Sequence, residues 1–202
     1  MAANTKERIL DVTAELFRQY GYTGTGLKQI VANANAPFGS LYHFFPGGKE
    51  QLGAEVIHRS GRMYYELFEA ILDAAPDPVT GVSDFFAGAA EVLRQTEYAD
   101  ACPIATVALE VASASEPLRE ATAAVFESWI DGAAGRLAAA GVPTEAAREL
   151  AVLVINMLEG AFVLSRSMRS TQPVEVAGTA ATAAVRAALP SRRARPRATA
   201  RR

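Results

Sequence analysis

Apolar residues recur three and four positions apart along almost the whole chain, and strand-like alternation is missing. The pattern predicts helices over about 4–20, 27–34, 37–44, 49–74, 80–96, 103–114, 117–140, 144–168 and 174–189. In the first, Ile9, Thr13, Leu16 and Tyr20 share a face, with Leu10 and Phe17 beside them. Asn4 stands where an N-cap belongs, and Gly21 closes the helix as a C-terminal glycine does. In the second, Leu27, Ile30, Val31 and Ala34 fall at i, i+3, i+4 and i+7, with Thr25 as the cap. Asn35 suits the left-handed residue of a tight turn, and Pro37 suits the first turn of the third helix. Pro103, Pro117, Pro143 and Pro173 mark later helix starts, and Gly141 followed by Thr144 marks a helix–turn–helix connection.

The short third helix carries an unusual outer surface. Leu41 and Phe45, one turn apart, anchor it to the core, leaving Phe38, Gly39, Ser40, Tyr42 and His43 outward and forward. Packing alone would put charged residues there. Small, hydroxylated and aromatic groups instead suit a helix that enters a DNA major groove, where backbones approach closely and donors flank phosphates. Gly39 allows the approach, while Tyr42 and His43 supply donors. Lys49 adds charge at the start of the long helix, whose free N–H groups already favour a phosphate. Thr25, Lys28 and Pro37 complete the candidate DNA-binding set.

Charge sharpens this reading. The net charge of −2 divides into +2 over residues 1–62, −11 over 63–185 and +7 over 186–202. Nucleic acid is therefore expected at the ends of the chain, not its middle. The single cysteine excludes an internal disulfide. No run approaches the roughly 20 apolar residues of a membrane span, and no leader is evident, so a cytoplasmic protein without membrane partners is expected. The tail "PSRRARPRATARR" lacks apolar periodicity and reads as disordered.

The segments "RILDVTAELFRQYGY", "TGLKQIV" and "GSLYHFFPGGKEQL" strongly resemble the TetR family of bacterial repressors over residues 5–60. "GSLYHFFPGGKEQL" and "ACPIATVALEVAS" resemble its LmrA/YxaF branch in particular. The resemblance implies an all-α fold: an N-terminal three-helix DNA-binding domain with a helix-turn-helix, over 1–48, and a larger helical ligand-binding and dimerisation domain, over 49–190. An Arg-rich tail, 191–202, would follow. It further implies a homodimer on operator DNA, a small-molecule effector and dimerisation through the last two long helices. Phe38 and Asn35 depart from the family pattern. The first bears on which operator is read, since Phe38 can meet a thymine methyl or simply pack.

The acidic middle favours an apolar or cationic effector. Candidate pocket residues are Met63, Tyr64, Phe68, Phe86, Glu110, Phe126, Trp129, Met157 and Phe162, among which ordinary core residues are also expected. The last helix is rich in small residues that let helices approach, so Leu153, Ala177, Ala181 and Ala184 are the candidate dimer interface. Glu110 and Glu159 interrupt apolar faces, either as polar fixtures of a pocket or as satisfied core groups. Cys102, at a helix start where a thiol pKa can fall, is either a redox group or packing. Two distant histidines make a metal site an unattractive reading, and no cofactor or catalytic set is expected. Two hypotheses stand: a ligand-responsive transcriptional repressor, or an all-helical small-molecule binder or enzyme with an incidental helix-turn-helix. The donor-bearing 25–49 segment separates them, because an enzyme has no use for it.

Overall fold

The computed structural model describes residues 5–100 and 102–190, and these form nine helices and no strand. In chain order they are α1 Thr5–Tyr20, α2 Leu27–Asn33, α3 Phe38–Phe44, α4 Gly48–Ala74, α5 Pro78–Gln95, α6 Pro103–Val111, α7 Glu116–Ala139, α8 Thr144–Met168 and α9 Gln172–Ala188. The expected tail, 191–202, and the Asn4 cap lie outside the described residues.

Local chemistry sets most boundaries. Asp77 caps α5 by accepting the Thr80 N–H at 2.9 Å, and Ser115 accepts the Leu118 N–H at the start of α7. Asn35 takes φ 46° in the α2–α3 turn, as its position in the sequence leads one to expect. Arg8 of α1 clamps that turn through the carbonyls of Ala34 and Asn35. Two caps differ from expectation: Gly26 rather than Thr25 precedes α2, and Pro143 rather than Thr144 precedes α8.

Two hydrophobic clusters organise the chain. The first joins Ile9, Phe17, Ile30, Leu41, Phe45, Leu52 and Ile57 of α1–α4 to Ile104, Val107, Val111, Leu118 and Val125 of α6 and α7. The N-terminal helices therefore share one core with α6 and the start of α7. The second cluster gathers Val82, Phe86, Leu93, Leu150, Val154, Val174, Ala181 and Val185 from α5, α8 and α9. Phe162 packs against both. α8 is long and apolar enough to cross a membrane by length and composition alone, yet Ala147, Leu150, Ala151, Val154 and Leu158 are buried within this chain.

Candidate DNA-binding surface and internal cavity

α2, the turn and α3 present one continuous exposed surface. Ile30 and Val31 hold α2 down, and Leu41 and Phe45, both fully buried, pin α3 beside it. Lys28, Pro37, Phe38, Gly39, Tyr42 and His43 are exposed, and Ser40 is half-buried. Phe38 and Tyr42 lie one turn apart with ring centroids 5.8 Å apart, a large aromatic pair left in solvent. A Cβ added at Gly39 would meet nothing within 4 Å, so intrachain packing does not demand glycine there. An approaching backbone would.

Two candidates of this set are corrected. Thr25 is fully buried, and its hydroxyl donates to the Gly21 carbonyl at 2.7 Å, so it fastens the end of α1 and faces no partner. Lys49 is also engaged: Nζ donates to the Tyr22 carbonyl at 2.7 Å and sits 4.2 Å from the centre of the Tyr22 ring. Burial lowers its pKa, against the pull of Glu110. Thr25 shapes the α1–α2 corner from inside, and the half-buried Lys49 braces it from its edge.

Glu110 belongs to that corner as well, not to a pocket. It ends α6, and its Oε2 accepts the Thr23 N–H at 2.6 Å. Gly21, at φ 71°, is what admits it, because a Cβ there would overlap the carboxylate.

The cavity lies between the two core clusters. It encloses about 310 Å³, and its wall comes from α4, α5, the α5–α6 loop, α7 and α8. Of the nine expected pocket residues it brings together four: Tyr64, Phe68, Trp129 and Phe162. The others fall elsewhere for plain reasons of helix phase. Met63 points to solvent at 54 % exposure, Phe86 is buried in the second cluster, Phe126 packs on the outer edge of Trp129, and Met157 packs on the second cluster. Sequence reading missed Tyr65, Leu67, Ile71 and Val92, which are neighbours of the named residues on the same helices. It also missed Asp100, which no periodicity could place, since it sits in a loop.

Polar groups in the cavity are few. Asp100 pairs with Arg18 of α1 at 2.9 Å, and the charge of that guanidinium offsets part of the rise that burial gives the Tyr64 phenol. Glu159 is half-buried with Oε1 shielded from solvent; desolvation pushes its carboxyl up to about 7 against a lowering contact from the Cys102 thiol, and Oε1 has no hydrogen-bond partner. The Cys102 thiol lies against that carboxyl. Burial, with Glu159 beside it, drives the Cys102 pKa well up, so the fall considered for a helix start does not occur and the thiol stays neutral. Among the described residues no three His, Cys, Asp or Glu side chains could hold a metal ion.

Of the expected interface residues, Ala181 is corrected. Ala181 is fully buried, and Ala177 and Ala184 pack on the second cluster. Gly178, whose Cβ would lie 2.7 Å from Phe86, explains why: the small stripe seats α9 against α5 of its own chain. Leu153 is exposed, as are Val163, Leu164 and Met168 on α8 and Val176 on α9. Single exposed apolar residues are ordinary; five on two packed helices are a concentration of them.

Comparison with known proteins bears directly on this arrangement. Residues 9–56 match the family model described as bacterial regulatory proteins, tetR family, and residues 78–180 match the LmrA/YxaF-like transcriptional regulator C-terminal domain. The chain belongs to the TetR family. It is 37 % identical over 171 residues to the HTH-type transcriptional regulator YxaF of Bacillus subtilis, covering 85 % of this chain and 90 % of that one. The LmrA regulator of the same organism is 33 % identical over 171 residues, 85 % and 91 % of the two chains. Among solved structures, a TetR transcriptional regulator from Legionella pneumophila superposes with a TM-score of 0.79 at 25 % identity, over 90 % of this chain and 97 % of that one. This TetR-family chain is thus a transcriptional regulator and not an enzyme.

Proposed function

We propose that the chain is a ligand-responsive repressor that binds a pseudo-palindromic operator as a homodimer and leaves it when a small molecule fills the cavity. The division of labour follows the expected domains: residues 1–48 read DNA, and residues 49–190 bind ligand and dimerise. As a transcription factor it works in the cytoplasm. The observation that carries this reading is the cavity wall itself. Asp100 faces the cavity and pairs with Arg18 of α1, the helix on which α2 and α3 pack. From the same loop α6 runs to Glu110, whose carboxylate holds the α1–α2 corner. A ligand that displaces this wall moves α1 at two points.

The DNA face is Lys28, Pro37, Phe38, Gly39, Ser40, Tyr42 and His43. The exposed patch Leu153, Val163, Leu164, Met168 and Val176 is the self-complementary contact of a two-fold dimer. The test has two steps. Ligands are found by thermal shift, and operator affinity is then measured by fluorescence anisotropy on DNA from upstream of the protein's own gene. Release at saturating ligand is expected. Unchanged affinity would refute ligand control.

A further inference from the structure

The polar groups around the cavity are almost all satisfied. Trp129 Nε1 donates to the Gly61 carbonyl at 2.9 Å, and the Tyr65 hydroxyl donates to Glu69 at 3.0 Å. Asp100 pairs with Arg18. The exception is Glu159 Oε1, a buried oxygen in a largely apolar wall that accepts no hydrogen bond, although the Cys102 thiol lies against the same carboxyl. Buried oxygens are nearly always paired, so one that is not marks a place where a ligand donor belongs.

We propose that Glu159 anchors the effector, and that the effector is a compact aromatic amine. Its protonated nitrogen donates to Glu159 Oε1 while its ring lies among Phe68, Phe85 and Trp129. The proposal rests on reading the cavity as the effector site.

Three observations select a cation over a neutral or anionic ligand. No Lys or Arg lines the cavity, and Arg18, whose partner Asp100 does, is paired with that carboxylate. An anion would meet an unpaired carboxyl with nothing to offset it. Phe68, Phe85 and Trp129 all line the cavity, and aromatic rings attract a nearby cation. Finally, at 310 Å³ the cavity lies at the small end of ligand sites, so the charge must sit on a short arm close to the ring.

The groups around Glu159 leave it alone in changing charge near neutrality. From the start of α6 comes Cys102, held as a thiol by burial. From the α5–α6 loop comes Asp100, held by Arg18 of α1. From α4 come Tyr64 and Tyr65, whose phenols are pushed up by burial and stay neutral. Glu159 itself is pushed up to about 7. Amine binding therefore requires the ionised carboxyl and strengthens as pH rises through neutrality, whereas a neutral donor gains nothing from that ionisation.

The experiment titrates the full chain by calorimetry with three probes on one ring: 2-naphthylmethylamine, 2-naphthylmethanol and 2-naphthoate. At about pH 8 the amine is expected to bind about tenfold more tightly than the alcohol, with naphthoate weakest. Its affinity should fall several-fold by about pH 6, as Glu159 takes up a proton. Glu159→Gln should abolish both the amine's advantage and its pH dependence. The wild-type comparison needs no variant, so poor folding of Glu159→Gln leaves the test intact. An alcohol that binds as tightly as the amine overturns the proposal, as does the same pH profile in Glu159→Gln, or no binding of any probe. Selective amine binding through Glu159 with unchanged operator affinity would refute the effector role alone, leaving the ligand class standing.

Discussion

The Arg18–Asp100 pair ties the helix under the DNA-reading unit to the lip of the cavity, and its strength can be worked out before it is measured. Arg18 Nε lies 2.9 Å from Asp100 Oδ1, with the two side chains 27 % and 15 % exposed. Exposed ion pairs contribute about 0–1 kcal/mol. Removing one partner of a fully buried pair costs about 3–5 kcal/mol, because the other charge is stranded. The pair sits between these limits, and Glu15 also holds the guanidinium, so some of its attraction survives in any variant of Asp100. Arg18→Met, which keeps the packing of the stem, should therefore destabilise by about 2 kcal/mol, or about 4–8 °C for a chain of this length. Asp100→Asn should cost about 1 kcal/mol, since Arg18 keeps Glu15. The double variant should cost little more than Arg18→Met alone, giving a coupling of about 1 kcal/mol. Urea unfolding of all four proteins at one protein concentration checks this. A coupling within error of zero would mean that Asp100 and Arg18 merely sit side by side, and the polar link from cavity to α1 would be lost.

Three further outcomes are expected. Ala181→Glu should unfold the chain and not merely separate protomers, because it drives a charge into the α5–α9 contact; Leu164→Glu should instead give folded monomers, and sedimentation with circular dichroism distinguishes the two. Lys28→Ala should weaken binding to every operator sequence alike and flatten the salt dependence by about one unit per protomer, read from anisotropy at several salt concentrations. Glu159 has a folded pKa raised from 4.5 to about 7, so the native state holds the extra proton between those values. Its contribution to stability therefore declines as pH rises through that window and is constant above it, by on the order of 3 kcal/mol in all. Urea unfolding at about pH 5 and pH 8 should show this decline in the wild type and not in Glu159→Gln.

Most of the fold was legible because helices announce themselves through period and punctuation. All nine helices in the described residues fall where the apolar spacing and the Pro, Gly and Asn signals put them. The exposed face of α3 was legible for a related reason: Leu41 and Phe45 had to be inside, so Phe38, Tyr42 and His43 had to be out. Thr25 and Lys49 escaped that logic because their partners, the carbonyls of Gly21 and Tyr22, are backbone groups that no side-chain pattern reveals. The cavity was half legible. Aromatic content on α4, α7 and α8 pointed to the right helices, but the phase that puts Tyr64 in and Met63 out depends on which neighbour each helix meets. The small residues of α9 misled for the same reason. A stripe that permits close packing does not say whether α5 or a second chain will occupy it.

The sharing of one core between α1–α3 and α6 bears on how far the DNA-reading unit is independent of the cavity. A boundary at residue 48 falls where the sequence changes character, yet Ile104, Val107 and Val111 of α6 complete the core that contains Ile9, Phe17 and Leu52. Interiors packed this closely do not deform continuously, so α6 and the N-terminal helices move together or separate at a cost. At nine residues α6 is about 13 Å long, with the cavity at its first turn and the α1–α2 corner at its last. A ligand that favours a different setting of its first turn must therefore favour a different setting of α1. By linkage, DNA that holds α1 in place must weaken that ligand by the same factor. Cutting the far tie with Glu110→Ala should then reduce the reciprocal effect of ligand and operator without emptying the cavity, since Glu110 touches Thr23 and not the ligand wall. Ligand affinity measured with and without operator reads this directly. Full reciprocity in Glu110→Ala would put the coupling on another route, through α4 or the Arg18 pair.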